Sequence, residues 1–257
     1  MALATVNQET LTRKLLELGV AQGDGLLVHS ALQFLGKPES GEGLYLKVLE
    51  ELIGGEGTLA VPAFTFAFAK GDGFDLKNSP SVGMGSFSEL VRKDPRSQRT
   101  SHPMQSLALL GKYAEELASL ETSSAFDDGS AFERMLELDF KLLLLGADIQ
   151  AASVVHYAEQ RAAVPYRYWK EFAGEVSQNG QVREASYRMF VRDLEVDAQL
   201  ELAPIQDALE QKSQWQSTKL NYGHLSLCTM RDFVSACDQL LEQDAWALVG
   251  NRASLQN

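Results

Sequence analysis

The sequence predicts an α/β fold: a single domain over residues 1–257, with a mixed sheet flanked by helices. Two observations predict it. Short apolar runs with strand character, such as GLLVHS at 25–30 and KLLLLG at 141–146, alternate with amphipathic runs of helical period. An Asn179-Gly180 pair between two alternating runs then adds an antiparallel hairpin to the second half. Hydrophobic residues make up 45% of the 257, ample for a core.

The elements follow in order. Leu11, Leu15, Leu16 and Leu18 give a first helix an apolar face, with Asn7 or Thr10 as its cap, and GVAQGD ends it. GLLVHS is a short buried strand. Gly43 to Ile53 is a helix with Leu44, Val48, Leu49 and Leu52 on one side. GGEGTLAVPAF is a turn and a strand ending at Pro62, so a strand–helix–strand unit opens a partly parallel sheet. Thr65 to Met84 reads as a long polar loop, a length usually functional or disordered. A helix in MGSFSELVRKDP stops at Asp94-Pro95, SLALLG is a strand, and YAEELASLE is a helix. In SAFERMLELD, Ser130 and Glu133 have the spacing of a capping box. FKLLLLGAD is the most buried-looking strand, and a helix holding His156, Tyr157 and Glu159 follows. Beyond the hairpin, helices are expected around Ile205 to Leu209 and through LCTMRDFVSACDQLLEQD.

Composition narrows the function. A net charge of -12 without a basic stripe argues against nucleic acid and favours an amine-bearing partner. No apolar stretch approaches the length of a membrane span, and the N-terminus lacks signal-peptide architecture. Cys228 and Cys237 form neither a disulfide framework nor a CxxC pair, which fits a reducing cytoplasm and core packing. There is no HExxH, GxGxxG, P-loop or GxSxG pattern, so no metal site, nucleotide fingerprint or serine-hydrolase elbow is expected.

Four positions carry chemistry. His29-Ser30 ends an apolar strand, where α/β sheets gather ligands; it equally suits a histidine that satisfies a strand end. His102-Pro103 and Ser106 precede a strand, as a plain turn would. Asp148 lies on a strand-to-helix turn. His156 and Glu159, three apart on a helix, share a face, so the carboxylate can orient the imidazole as a general base or simply be its neighbour.

The ordered set LLVHSAL, GGEGTLAVPAF, RTSHPMQSLALLG, DDGSAFERMLELDFKLLLLGADIQAASVVHYAE and YGHLSLCTMRDFV resembles the aminoglycoside 3-N-acetyltransferase family, from about Leu11 to Leu241. The resemblance implies the antibiotic N-acetyltransferase-like α/β fold, distinct from the GNAT enzymes, and acyl transfer from acetyl-CoA to an amine without a metal. It implies His156 as catalytic base with Glu159 as its acidic partner. It implies coenzyme A groups at His29, Ser30, Ala31 and Leu32, with His102, Ser106 and Ser130 lining the same cleft and Ser106 as an oxyanion or cofactor donor. The acceptor is expected near Asp148, the Thr65 to Met84 loop and the PYRYW segment, opposite the coenzyme A groups, where Tyr166, Arg167, Tyr168 and Trp169 would stack on a sugar or grip an anionic group, or else form a packed helix end. An arginine there favours a nucleotide-linked amino sugar; the alternatives are an aminoglycoside acceptor or a non-catalytic coenzyme A-binding protein. The oligomeric state is open, a homodimer included.

Overall fold

A computed structural model describes residues 4–255. Helix α1 (Gln8–Leu18) begins where Asn7 accepts a hydrogen bond from the Thr10 N–H at 2.9 Å. A short parallel pair, β1 (Thr5–Val6) with β3 (Lys37–Pro38), ties its entry to the chain after strand β2 (Gly25–Ser30). Helix α2 (Gly43–Ile53) leads to β4 (Thr58–Pro62), and β5 (Phe74–Asp75) lies within the long loop. Then come α3 (Gly85–Lys93), β6 (Gln98–Arg99), β7 (Leu107–Gly111), α4 (Ala114–Ala118), α5 (Ala131–Glu137) and β8 (Lys141–Leu145). After α6 (Val155–Arg161) the chain forms a hairpin of β9 (Arg167–Gln178) and β10 (Gln181–Arg192). It closes with α7 (Ala203–Gln211), β11 (Gln216–Leu220), β12 (Gly223–Thr229), α8 (Met230–Gln243) and α9 (Arg252–Leu255).

The main sheet has seven strands in the order β11-β12-β8-β2-β4-β7-β6. Its centre, β8-β2-β4, is parallel, and antiparallel strands flank it on both sides. The two-residue period of a strand divides the side chains between two cores. Leu26, Val28, Leu143 and Leu145 pack toward α1, α2 and α3. Leu27, Leu142 and Leu144 pack on the other side with Phe132, Val155, Phe233 and Cys237. Each buried leucine adds roughly 1.5–3 kcal/mol to whichever core receives it. His29 follows Leu27 by two and therefore faces the α5, α6 and α8 side, while Ser30 faces α3.

Several expectations need correction. Leu16 is 54% exposed rather than part of the apolar face of α1. The segment expected to open the last helix at Leu227 is the end of β12, paired with β8, and α8 starts only at Met230. β12 is buried along most of its length, so it shows little alternation to read. The loop from Thr65 to Met84 is not loose: Phe68 and Phe74 pack with Met104, Val176, Tyr187 and Met189 in a third cluster beneath the hairpin. The hairpin turn falls at Asn179-Gly180 as expected, with φ of 51° and 77°, the left-handed pair that an Asn-Gly turn supplies. Among the described residues no helix is long and apolar enough to cross a membrane.

Candidate active site

The carboxyl ends of all three central parallel strands converge on one cleft of about 270 Å³. β2 contributes His29. The chain leaving β4 contributes Phe64 and Phe66. The chain leaving β8 contributes Gln150 to Ser153, Val155 and His156. Met84, Leu200 and Leu202 complete the wall. This is where open α/β sheets place ligands.

His156 sits in the first turn of α6 and is half-buried. Its Nδ1–H donates to Oε2 of Glu159 at 2.6 Å, the donor being fixed because an ionised carboxylate only accepts. Glu159 is completely buried. Its other oxygen, Oε1, forms an ion pair with Nε of Arg167 at 2.9 Å, close in distance but not aligned as a hydrogen bond. Burial pushes the Glu159 carboxyl up, but the hydrogen bond and charge of His156 and the charge of Arg167 outweigh it, and the net shift is downward. Phe126 meets the His156 ring edge-on, 6.0 Å between centroids.

His29 is buried in the same cleft, against Ser153. Nε2 accepts from the Ser153 N–H at 3.4 Å and lies 3.3 Å from its hydroxyl. Burial, and then the nearby His156, hold its pKa down at about 3, so this imidazole is neutral at neutral pH. Ser30, Ala31 and Leu32 continue from it. The Ala31 N–H donates to the Leu145 carbonyl at 2.8 Å, which ties β2 to β8, and Leu32 is packed in a core. Beside Ser30, Gly85 has a φ of +84°, and a side chain there would come within 3.4 Å of the Ser30 carbonyl. The uncapped first turn of α3 thus opens against Ser30.

Other expected site residues lie elsewhere. His102 is buried; its Nδ1 accepts from the Gln105 N–H at 3.1 Å, and Nε2 lies 3.4 Å from the Arg188 carbonyl. Burial lowers its pKa to about 4. It joins a turn to the hairpin rather than lining the cleft with His156. Ser106 is fully buried; its hydroxyl donates to the Ala63 carbonyl at 2.9 Å and accepts from Arg99 Nε at 3.0 Å, so it is not free to serve an oxyanion. Ser130 caps α5, accepting from the Glu133 N–H at 3.3 Å, and does not line the cleft. Asp148 is exposed and accepts from the Gln150 N–H, which orients the turn bearing Gln150. Tyr166 and Arg167 point inward: Tyr166 is 1% exposed with its ring 5.4 Å from Trp246, and Arg167 holds Glu159. They do not present a sugar platform or an anion grip.

The sequence over residues 27–242 matches the family described as Aminoglycoside 3-N-acetyltransferase. The chain belongs to the aminoglycoside 3-N-acetyltransferase family. Aminoglycoside N(3)-acetyltransferase III from Salmonella sp is 31% identical over 180 residues, 63% of this chain and 63% of that protein, so the match spans less than two thirds of the relative's length. Aminoglycoside N(3)-acetyltransferase IV from Salmonella sp is 29% identical over 91% of this chain and 87% of its own. Aminoglycoside acetyltransferase AAC(3)-IVa, solved as the apoenzyme, superposes with a TM-score of 0.80 at 26% identity, covering 98% of this chain and 94% of that one. AAC-IIIb in binary complex with CoASH shares the fold at a TM-score of 0.83 and 21% identity, over 93% and 97% of the two chains.

The structure brings to the cleft residues that sequence reasoning missed. Ser153 had a local signal, since it lies three residues before His156 on the same turn. Phe64 directly follows the strand that ends at Pro62, whereas Phe66 and Met84 lie within the Thr65 to Met84 loop expected on the acceptor side. Leu200 and Leu202 had none: they reach the cleft from a distant segment held by a bridge between Leu200 and Val249. Among the described residues no group of three or more His, Cys, Asp or Glu side chains could hold a metal ion.

Proposed function

We propose that this protein transfers the acetyl group of acetyl-CoA to an amine of an aminoglycoside, with His156 as general base. The observation that carries the proposal is the 2.6 Å contact from His156 Nδ1 to a fully buried carboxylate at the wall of the cleft. A proton committed to Glu159 leaves the lone pair on Nε2 as the basic site. Nε2 takes the proton of the acceptor amine as its nitrogen attacks the thioester carbonyl carbon. The carbon–sulfur bond then breaks, and the imidazolium returns the proton to the departing thiolate. Glu159 steadies the charge on the ring between these steps. No covalent enzyme intermediate is required. His29, held neutral, adds no competing cation to the cleft. The uncapped first turn of α3 beside Ser30 offers backbone N–H groups suited to the phosphates of coenzyme A.

The expectation of a nucleotide-linked acceptor rested on Arg167, whose guanidinium is committed to Glu159. An aminoglycoside fits better. The segment that brings Leu200 and Leu202 to the cleft also carries Asp193, Glu195, Asp197 and Glu201, and the chain as a whole has a net charge of -12. Both attract a polycation. Relatives named for aminoglycoside N(3)-acetylation support the same choice, as does AAC(3)-IVa, solved as a histidine-to-alanine mutant in complex with a gentamicin.

The test is incubation with acetyl-CoA and, separately, gentamicin, apramycin and a nucleotide-linked amino sugar, followed by mass analysis of each acceptor and measurement of released thiol. The expected result is one acetyl group gained by an aminoglycoside. Thiol release only with the nucleotide-linked sugar, or with none of the three, would overturn the acceptor assignment.

A further inference from the structure

Eight residues after Glu159, the chain returns to it. α6 ends at Arg161, and Ala163 takes up a left-handed conformation with φ of 46°, unusual for a residue with a side chain. The Val164 N–H donates back to the Glu159 carbonyl at 3.3 Å, Pro165 follows, and β9 begins at Arg167. This reversal sets the guanidinium of Arg167 against the far side of the carboxylate that His156 uses. Arg167 is itself held, its Nη1 donating to the Phe190 carbonyl of β10 at 3.3 Å, and its side chain is only 10% exposed.

The two carboxylate oxygens therefore have separate tasks: Oε2 takes the hydrogen bond of His156, and Oε1 faces the charge of Arg167, whose Nε lies 2.9 Å away without hydrogen-bond alignment. A carboxylate bound at one oxygen can rotate about its last torsion, whereas one held at both cannot rotate without losing a partner. The other polar groups around this centre do not replace Arg167. The Tyr166 hydroxyl is buried near Glu159 but carries no charge, and burial followed by the Glu159 charge pushes its pKa up. Cys237 on α8 lies near Glu159 with its thiol pushed well up by burial. His29, in the same cleft, is neutral. Among the described residues, Arg167 is thus the fixed cation at the buried carboxylate.

We propose that Arg167 is a positioning residue of the transfer reaction, anchoring one oxygen of Glu159 so that the other is held against Nδ1 of His156. The proposal rests on the acetyl-transfer reading given above. It assigns to Arg167 a role in turnover rather than in gripping either substrate.

The experiment compares Arg167→Met, Arg167→Lys and Glu159→Gln, together with the Arg167→Met/Glu159→Gln double variant. One readout is steady-state kinetics with acetyl-CoA and an aminoglycoside. The other is the far-downfield Nδ1–H proton resonance of His156, assigned by its loss in His156→Ala. Arg167→Met should lower kcat by about 10–10²-fold, the scale of a misplaced reacting group, with both KM values within about twofold of wild type. Its downfield resonance should weaken or move upfield. In the Glu159→Gln background the same change should cost no further kcat, because Arg167 acts only through Glu159. Arg167→Lys keeps the charge without the guanidinium fork, so it should retain the resonance and recover part of kcat. If Arg167→Met does not fold, Arg167→Gln takes its place, and a resonance and kcat equal to wild type in either neutral variant overturn the proposal. So does an acceptor KM raised with kcat unchanged, which would make Arg167 a substrate contact. If the wild-type protein transfers no acetyl group to any amine, the reading of the activity fails. The resonance still decides whether Arg167 positions Glu159.

Discussion

Glu159→Gln changes one atom and removes one charge at a fully buried point between two bases. The amide keeps an oxygen for one neighbour, but Arg167 is left as a cation without its counter-charge. Removing one partner of a buried pair costs about 3–5 kcal/mol. The retained oxygen and the Phe190 carbonyl on Arg167 place this case near about 3 kcal/mol. For a chain of this size that is a fall in Tm of roughly 6–12 °C. The sign with pH follows from the depressed pKa of Glu159. A carboxylate lowered by folding contributes stability that is present above its unfolded pKa and lost as pH falls through its folded one. The gap between wild type and variant should therefore be full at pH 7 and shrink below about pH 4. Turnover should fall as well. Two unit charges about 4 Å apart interact by about 4 kcal/mol at an effective dielectric of 20, a ceiling for the lost support of the imidazolium. A loss of roughly 10²-fold in kcat is expected within that ceiling. Thermal denaturation between pH 3 and 8, with initial rates at saturating substrates, measures both effects. A variant as stable as wild type at pH 7, or a gap that does not narrow in acid, would refute the reasoning.

Four further outcomes are expected. His156→Ala should lower kcat by about 10²–10⁴-fold, with acetyl-CoA affinity by calorimetry unchanged. Ser130→Ala should cost about 0.5–2 kcal/mol of stability in denaturant titration, because Ser130 caps α5, and should leave acetyl-CoA affinity at the wild-type value. His29 and His102 are held down at about 3 and about 4, so their contribution is present above the ordinary histidine range and lost as pH falls below it. Denaturant midpoints should fall from pH 7 to pH 4.5, and less steeply in His102→Gln. Gly25→Ala puts a methyl 2.3 Å from the buried Phe140 ring, and about 1–3 kcal/mol of destabilisation by thermal melting is expected from the overpacking.

What was legible in the sequence depended on how local its cause was. The Ser130 cap and the Asn179-Gly180 turn are set by residues within a few positions and appear where their spacing puts them, although Glu133 reaches back to the Gly129 N–H rather than to that of Ser130, which donates to the Asp127 carbonyl. The buried strands around Leu27 and Leu143 were legible from apolar runs. His156 and Glu159 follow from helical spacing alone. Arg167 was not legible, because its inward turn depends on a left-handed Ala163, a residue type that gives no sign of such a conformation. β11 and β12 were missed for a related reason. Their turn uses a positive φ at Asn221, and the buried β12 lacks alternation. Ser106 and His102 were read as site donors from their motif, but whether a hydroxyl or imidazole is free depends on which carbonyl lies opposite, here Ala63 and Arg188.

The two cysteines, both free and buried, have a practical consequence for measuring this chemistry. Burial raises each thiol well above its ordinary range, so neither offers a thiolate to an aromatic disulfide dye in the folded state. The colour that develops in a continuous assay is then coenzyme A set free by turnover, without a protein blank that drifts over time. Denaturant should expose two further equivalents per chain, and a slow late rise in the same cuvette would record loss of the fold rather than acetyl transfer.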